Sequence, residues 1–237
     1  MLPPLRPWSR DADTRCAFGD VTSFWTAHDA VSFLVDLGVY RPTLHALLTR
    51  DEKERERRFR PAVSQRRFVV SRCVLKRVLA EILSEERVAD IVLARNADGR
   101  IRVDGRPDVY MSLSYSGRSI AITVGKRKLG SDLEGVRPVR DAKIAASPAY
   151  RSYPPPRGAG HTQQVIHVWT LLESCAKLFD ANPYPLLDRR TPFPGAEFVS
   201  YCVDRRAIFS LASEPGRLDD VLVWLDPENT DHGWRTR

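Results

Sequence analysis

The spacing of apolar residues changes twice along this chain, each time from a helical period to alternation. Residues 64–83 carry apolar side chains at helical spacing, and residues 164–179 repeat that pattern after a proline- and glycine-rich segment at about 145–162. After the helical segments come strand-like runs separated by turns: 91–93 and 101–103, 109–114 and 120–124, 129–133, and 198–203 and 207–212. This order predicts an α+β fold of two similar halves, 1–128 and 129–237, with 145–162 as a loop or linker.

The composition of the chain and the spacing of its apolar and cysteine residues limit the classes of protein to which it can belong. The chain has 237 residues, of which 43% are apolar and 28% charged, enough to bury a core. It contains no apolar run of the roughly 18 residues that a membrane span needs, and its proline-interrupted start lacks the apolar centre of a secretory signal. The four cysteines are scattered without a C-x-x-C pair, which predicts neither a zinc knuckle nor a disulfide framework. We expect a cytoplasmic enzyme or binding protein with no membrane partner.

Positive charge is concentrated between Arg50 and Arg77. This stretch holds eleven basic and four acidic residues, a surplus of seven that equals the net charge of the whole chain. Thr49 and Glu52 have capping-box spacing, and Pro61 is expected to end the helix that they begin. A solvated helix face, an acidic protein, nucleic acid and a phosphate-rich small molecule all fit the charge. Only two aromatic residues lie among the basic ones, which disfavours nucleic acid.

Two pairs of charged residues are candidates for a site of metal-assisted phosphoryl transfer. Asp132 and Glu134 stand two apart in a strand-like run, so both carboxylates would share one face and suit Mg²⁺ held with a substrate phosphate. Glu173 and Lys177 stand four apart in the second helical segment, one turn from each other on one face. Such residues serve metal-assisted phosphoryl transfer, although surface salt bridges use the same spacing.

The order of these motifs resembles the Sfp-type 4′-phosphopantetheinyl transferases. After a basic helix containing Arg67 and Arg72, the chain reads Leu-Ser-Tyr-Ser-Gly at 113–117, Gly-Ser-Asp-Leu-Glu at 130–134 and Trp-Thr-Leu-Leu-Glu-Ser-Cys-Ala-Lys at 169–177. The family signatures are approximately S-H-S-G, G-[IV]-D-x-E and W-[ST]-x-K-E-[SA]-x-x-K, and the resemblance covers about residues 45–212. The resemblance implies that the chain folds into two α+β halves in a pseudo-twofold arrangement, and that the protein is a monomer.

The resemblance also implies an activity, transfer of 4′-phosphopantetheine from coenzyme A to a serine of an apo acyl or peptidyl carrier protein. Asp132, Glu134 and Glu173 would hold Mg²⁺, with Asp132, Glu173 and Lys177 as the catalytic group. Glu173 would help to remove the serine proton, and Lys177 would neutralise the diphosphate or the departing 3′,5′-ADP. The implied coenzyme A-binding residues are Arg55, Arg67, Arg72, Ser114, Tyr115, Ser116 and Lys177. The segment at 145–162 is expected to border the carrier-docking cleft.

The chain departs from the family pattern at several positions. Tyr115 replaces the family histidine, Leu172 replaces the first lysine of the helix motif, and Asp180 to Pro183 replace the glycines that usually follow Lys177. The alternative interpretation is therefore a diverged homologue with lost transfer, another reaction in the same pocket, or binding of coenzyme A or a carrier protein alone.

Overall fold

The computed structural model describes residues 5–11, 14–85, 87–95, 100–138, 142–152, 160–189, 195–216 and 218–226. Its helices and strands follow one another as β1 (Leu5–Trp8), β2 (Arg15–Cys16), α1 (Val21–Ala27), β3 (Ala30–Asp36), α2 (Arg50–Arg57), α3 (Ala62–Leu83), β4 (Leu93–Arg95), β5 (Ile101–Val103), β6 (Tyr110–Ser116), β7 (Ser119–Gly125), β8 (Leu129–Gly135), α4 (Ala142–Ala146), α5 (Pro148–Ser152), α6 (His161–Phe179), β9 (Glu197–Val203), β10 (Ala207–Ser213) and β11 (Asp220–Leu225). The fold thus mixes helices with largely antiparallel sheets, in agreement with the α+β class.

The strands form two larger sheets and one small hairpin. One sheet has the order β1-β9-β10-β8 and the other the order β2-β11-β3-β7-β6, while β4 pairs with β5. The ends of the chain are exchanged: β1 pairs in parallel with β9, and β11 pairs in parallel with β3. Each sheet therefore contains a strand from the opposite end of the sequence.

The two sheets pack face to face between two long helices. Apolar side chains from both sheets form the central cluster, among them Leu34, Leu133, Phe209 and Trp224. The outer face of the five-stranded sheet packs against α3 and its buried valines and leucines. The outer face of the four-stranded sheet lies under α6. Because burial of these faces is the main stabilising contribution, both long helices are held in place by the sheets beneath them.

Three serines of β6 join the edges of the two sheets. Ser112, Ser114 and Ser116 alternate along β6, so their side chains share one face of the strand. Their hydroxyl oxygens accept hydrogen bonds from backbone N–H groups of β8, at 2.9 Å from Ser131, 3.0 Å from Leu133 and 2.7 Å from Gly135. We call this contact the serine seam. It holds β8 beside β6 without a backbone ladder between them.

The segment at 145–162, expected to be a loop or linker, is partly helical. Its described residues include parts of α4 and α6 and all of α5, which begins at Pro148; residues 153–159 lie outside the described residues. Proline suits the first position of a helix because its fixed φ fits and no N–H is needed there. Ala149 of this segment and Ile144 just before it are buried in one cluster with side chains of α6, so the segment packs with that helix.

The predicted secondary structure agrees with the fold at several other places. The hairpins β4–β5, β6–β7 and β9–β10 pair antiparallel. The residues expected to form the β4–β5 turn, 96–99, lie outside the described residues. No helix within the described ranges is long and apolar enough to cross a bilayer.

Candidate functional site

Gly130 sets the distance between α6 and β8. A Cβ atom at this position would lie 2.2 Å from the carbonyl oxygen of Ser174, 2.6 Å from the backbone nitrogen of Leu178 and 2.7 Å from Cβ of Lys177. These distances are too short for any side chain, so only glycine lets the helix backbone come this close. The close approach brings the Glu173–Lys177 face of α6 onto the Asp132–Glu134 face of β8.

Asp132 is the central carboxylate of this contact and is only 6% exposed. Its Oδ1 accepts hydrogen bonds from Nζ of Lys177 and from the hydroxyl of Ser114, each at 2.8 Å. Lys177 also donates to the backbone carbonyl of Ser131 at 2.8 Å. The second oxygen, Oδ2, is buried without a hydrogen-bond partner among the described residues. A buried carboxylate oxygen without a partner is costly, so this atom is suited to receive a ligand.

Glu134 and Glu173 complete a carboxylate cluster with Asp132. Burial raises the pKa of Glu173, and the negative charges of Asp132 and Glu134 raise it further against the opposing effect of Lys177. Burial likewise raises the pKa of Glu134, again with a contribution from Asp132, while Arg137 and Lys177 act against it. Arg137 lies 3.6 Å from the Glu134 carboxylate. The three acids therefore repel one another, and a cation placed among them would relieve that repulsion.

The chemistry of these donors fits a hard divalent cation, because Mg²⁺ prefers carboxylate oxygens together with phosphate and water. The unpartnered Oδ2 of Asp132 is the atom that most clearly fits such an ion. Within the described residues, however, no group of three or more histidine, cysteine, aspartate or glutamate side chains is already arranged to hold a metal. Lys177 is the cation that Asp132 contacts directly.

A cavity of about 420 Å³ adjoins this cluster, and Lys177 lies between the two. Its wall combines cationic, aromatic and apolar groups. The described lining residues are Arg55, Phe59, Phe68, Arg72, Arg95, Arg100, Ile101, Met111, Ser112, Leu113, Tyr115, Leu129, Lys177 and Asp180. We call it the arginine cavity. With five cationic side chains and one carboxylate in its wall, it is suited to an anion that also carries a flat apolar group.

The arginines of the cavity affect one another electrostatically. Burial lowers the pKa of Arg72, and the charges of Arg95 and Arg55 lower it further, against opposing effects of Tyr115 and Glu52. Burial and Arg55 also lower the pKa of Arg95. The Arg72 guanidinium lies 5.2 Å from the centre of the Phe68 ring, and Nε of Arg55 is buried without a partner among the described residues. A bound anion would therefore offset mutual repulsion between like charges.

A buried ion pair holds α2 against α3 and so positions Arg55. Lys76 is fully buried and donates to Oε2 of Glu52 at 2.6 Å and to the carbonyl of Leu47 at 3.1 Å. Glu52 also accepts from the backbone N–H of Thr49, whose hydroxyl accepts from the N–H of Glu52. The predicted capping box is thus confirmed, and Lys76 serves the fold rather than the surface charge.

The residues expected to bind coenzyme A fall into two groups. Arg55, Arg72, Tyr115 and Lys177 line the arginine cavity. The hydroxyls of Ser114 and Ser116 belong to the serine seam, and Tyr115 donates to the hydroxyl of Ser71 at 3.0 Å. Arg67 is not among the lining residues, and its guanidinium donates to the carbonyl of Gly117 at 2.6 Å.

Sequence reasoning missed Arg95 and Arg100 as candidate binding residues. Arg95 is the last residue of β4 and Arg100 precedes β5, and both line the arginine cavity from a part of the chain outside the basic stretch. The only signal available was a basic residue on each side of an Asn-Ala-Asp-Gly turn. The serine seam also has a signal in the sequence. Ser112, Ser114 and Ser116 alternate, which is typical of residues on one strand face that contact a common partner.

Comparison with protein-family models and with curated proteins found no match for this chain.

Proposed function

We propose that this protein is a divergent Sfp-type 4′-phosphopantetheinyl transferase, which moves the 4′-phosphopantetheine group from coenzyme A to a serine of an apo acyl or peptidyl carrier protein. One observation carries the proposal: Lys177 both lines the arginine cavity and contacts Asp132 of the carboxylate cluster. A cationic cavity joined to a carboxylate cluster through Lys177 suits a substrate with a phosphorylated nucleoside at one end and a reacting diphosphate at the other.

The arginine cavity is the proposed site for the adenosine end of coenzyme A. Phe59 and Phe68 lie with ring centres 5.5 Å apart and offer apolar surface to a base. Arg55, Arg72 and Arg95 would bind the 3′-phosphate, because guanidinium groups match phosphate oxygens in a bidentate geometry. The volume of the cavity is within the usual range for small-molecule sites.

In the proposed reaction, the serine hydroxyl oxygen of the carrier attacks the phosphorus that bears pantetheine. A new P–O bond to serine forms, the bond from that phosphorus to the bridging oxygen breaks, and 3′,5′-ADP leaves with that oxygen. Glu173 would accept the serine proton, a role supported by burial, which raises its pKa. Lys177 would neutralise charge on the diphosphate and on the departing product.

Asp132, Glu134 and Glu173 are the residues that would hold Mg²⁺ in this proposal. When bound, the ion would neutralise diphosphate charge in the transition state. The mutual repulsion of the three carboxylates and the unpartnered Oδ2 of Asp132 support this role. Before the ion binds, the contact of Lys177 with Oδ1 keeps the most buried carboxylate partly neutralised.

The proposal includes a pseudo-twofold relation between the halves 1–128 and 129–237. In the first half a strand, a long helix and a hairpin follow as β3, α3, β6 and β7, and the strands lie in the order β3-β7-β6. In the second half β8, α6, β9 and β10 follow the same plan, in the order β8-β10-β9. The shared strand order supports a repeated unit. A cytoplasmic monomer is part of the same proposal.

A diverged homologue without transfer is the second candidate. Leu172, at the position of the family lysine, is 0% exposed and packs with Ile144 and Ala149. It presents no charge to a phosphate, and Tyr115 supplies a hydroxyl in place of an imidazole. These two residues favour a pocket that binds coenzyme A without completing the reaction.

Intact-protein mass spectrometry distinguishes the two candidates. Apo carrier proteins would be incubated with this protein, Mg²⁺ and coenzyme A, with Glu173→Gln as the matched control. A mass gain of one phosphopantetheine that is lost in the control supports the transferase. No gain on any carrier, with coenzyme A binding retained in calorimetry, supports the diverged homologue. Absence of both refutes both candidates.

A further inference from the structure

Asp180 brings a carboxylate into a cavity whose other charged groups are cationic. It follows the last residue of α6 and has φ 56° and ψ 38°, in the left-handed region. Its backbone N–H donates to the carbonyl of Ala176, as at many helix ends. Glycine or asparagine usually occupies such a position, so an aspartate there is not required by the turn.

The carboxylate of Asp180 pairs with two cations from other parts of the chain. Arg100, beside β5, donates to Oδ1, and Nζ of Lys128, beside β8, lies 3.2 Å from Oδ2. Burial acts to raise the pKa of Asp180, but the interactions with Arg100 and Lys128 outweigh it and lower the pKa. Asp180 is therefore negatively charged at neutral pH.

This charge opposes the binding of an anion in two ways. Arg100 lines the arginine cavity and already interacts with the carboxylate. An anionic ligand must compete with Asp180 for that guanidinium, and it also meets the repulsion of the carboxylate itself. Among the described residues that line the cavity, Asp180 is the acidic one.

We propose that Asp180 sets the affinity of the arginine cavity by acting as a built-in competitor of a polyphosphate ligand. This inference rests on the proposed binding of coenzyme A. The carboxylate holds Arg100, which lines the cavity, until a ligand phosphate replaces it. Its presence keeps Arg100 partly neutralised in the free protein and weakens the binding of coenzyme A and of the product 3′,5′-ADP.

A purely structural role makes the opposite prediction. If the pairs with Arg100 and Lys128 only hold the cavity wall together, their loss would disorder the wall and weaken binding. Asp180→Asn separates the two roles, because asparagine tolerates the left-handed conformation but carries no charge. Asp108→Asn is the matched control: it also removes a carboxylate paired with an arginine, Arg106 at 2.8 Å, away from the arginine cavity.

Calorimetric titration with coenzyme A and with 3′,5′-ADP tests the inference, with melting temperature as a check on folding. We expect Asp180→Asn to bind both compounds about tenfold more tightly than the unmodified protein, the effect of one additional charge-assisted hydrogen bond to the ligand. Asp108→Asn should bind them within about twofold of the unmodified protein, as expected for a distant screened charge. If Asp180→Asn binds these compounds equally well or more weakly while the unmodified protein still binds them, the proposed role of Asp180 is overturned but the proposed function is not. Absence of binding by every variant overturns the proposed function as well.

Discussion

The arginine cavity and the carboxylate cluster are two neighbouring regions in which charges of one sign predominate, but they are built differently. The carboxylates of β8 are two residues apart and face a helix fixed by a glycine contact. The arginines come from α2, α3 and the β4–β5 hairpin, and Arg72 lies beside an aromatic ring. The acids are therefore positioned by the close contact of two elements, and the arginines by the packing of several.

This difference indicates how the two regions tolerate their charges. Crowded like charges reduce stability unless a partner of opposite charge is present. Lys177 partly neutralises Asp132 of the carboxylate cluster, and Asp180 partly neutralises Arg100 of the arginine cavity. Both compensating residues lie at the end of α6, so this helix connects the charge balance of the two regions.

The largest effect is expected from Gly130→Ala, which disrupts the close contact between α6 and β8 that positions the carboxylate cluster. The added Cβ would overlap the carbonyl of Ser174 and push α6 away from β8. We expect a loss of about 3 kcal/mol or more in the free energy of unfolding, measured by urea denaturation. Gly19→Ala is the control, since nothing lies within 4 Å of its added Cβ, and should change stability by about 0.5 kcal/mol or less. Equal stability of the two variants would contradict the close contact.

A smaller effect should distinguish two arginines that the sequence treats alike. Arg72 lines the cavity, whereas Arg67 donates to the carbonyl of Gly117. Arg72→Met removes the charge and keeps much of the length of the side chain, and should weaken coenzyme A binding about ten- to a hundredfold. Arg67→Met should weaken it by about threefold or less. Calorimetry on both folded variants decides, and equal losses would show that the cavity does not bind the ligand.

The smallest effect concerns the pH dependence of stability. The raised pKa of Glu173 means that the folded protein binds its proton more tightly than the unfolded chain, so the free energy of unfolding falls as pH rises from 4.5 through the folded pKa. Glu173→Gln removes that fall, and we expect a gain of at most about 1 kcal/mol at neutral pH. Near pH 3, where the acid is protonated in both states, the gain should vanish. Urea denaturation across this range is the measurement, with exposed Glu54→Gln as the control; a gain that does not change with pH would contradict the raised pKa of Glu173.

Local features of this fold could be predicted because they depend on residues near in sequence. The capping box at Thr49 needs only Glu52 three residues later, and α6 follows from apolar spacing along one segment. The shared faces of Asp132 with Glu134, and of Glu173 with Lys177, follow from the periods of strand and helix. The residue pairs on which the proposed function rests were recognisable for the same reason.

The pairing of segments that are far apart in sequence could not be predicted from these local patterns. Leu129–Leu133 could be identified as strand, but its alternation does not say which sheet it joins, and β8 pairs with β10 rather than extending the β6–β7 hairpin. Arg95 and Arg100 reach the cavity because the β4–β5 hairpin lies beside β6, and the seam serines bind β8 because two sheet edges meet.

Sequence alone determined α2, α3 and α6, the hairpins and the residue types available for chemistry, since backbone periodicity and turn preference act over a few residues. Tertiary structure decided which charges share a site, which arginine is diverted to a carbonyl, and that Asp180 pairs with Arg100 at the cavity wall. Those outcomes depend on how buried faces pack against one another, which no short segment of the chain specifies.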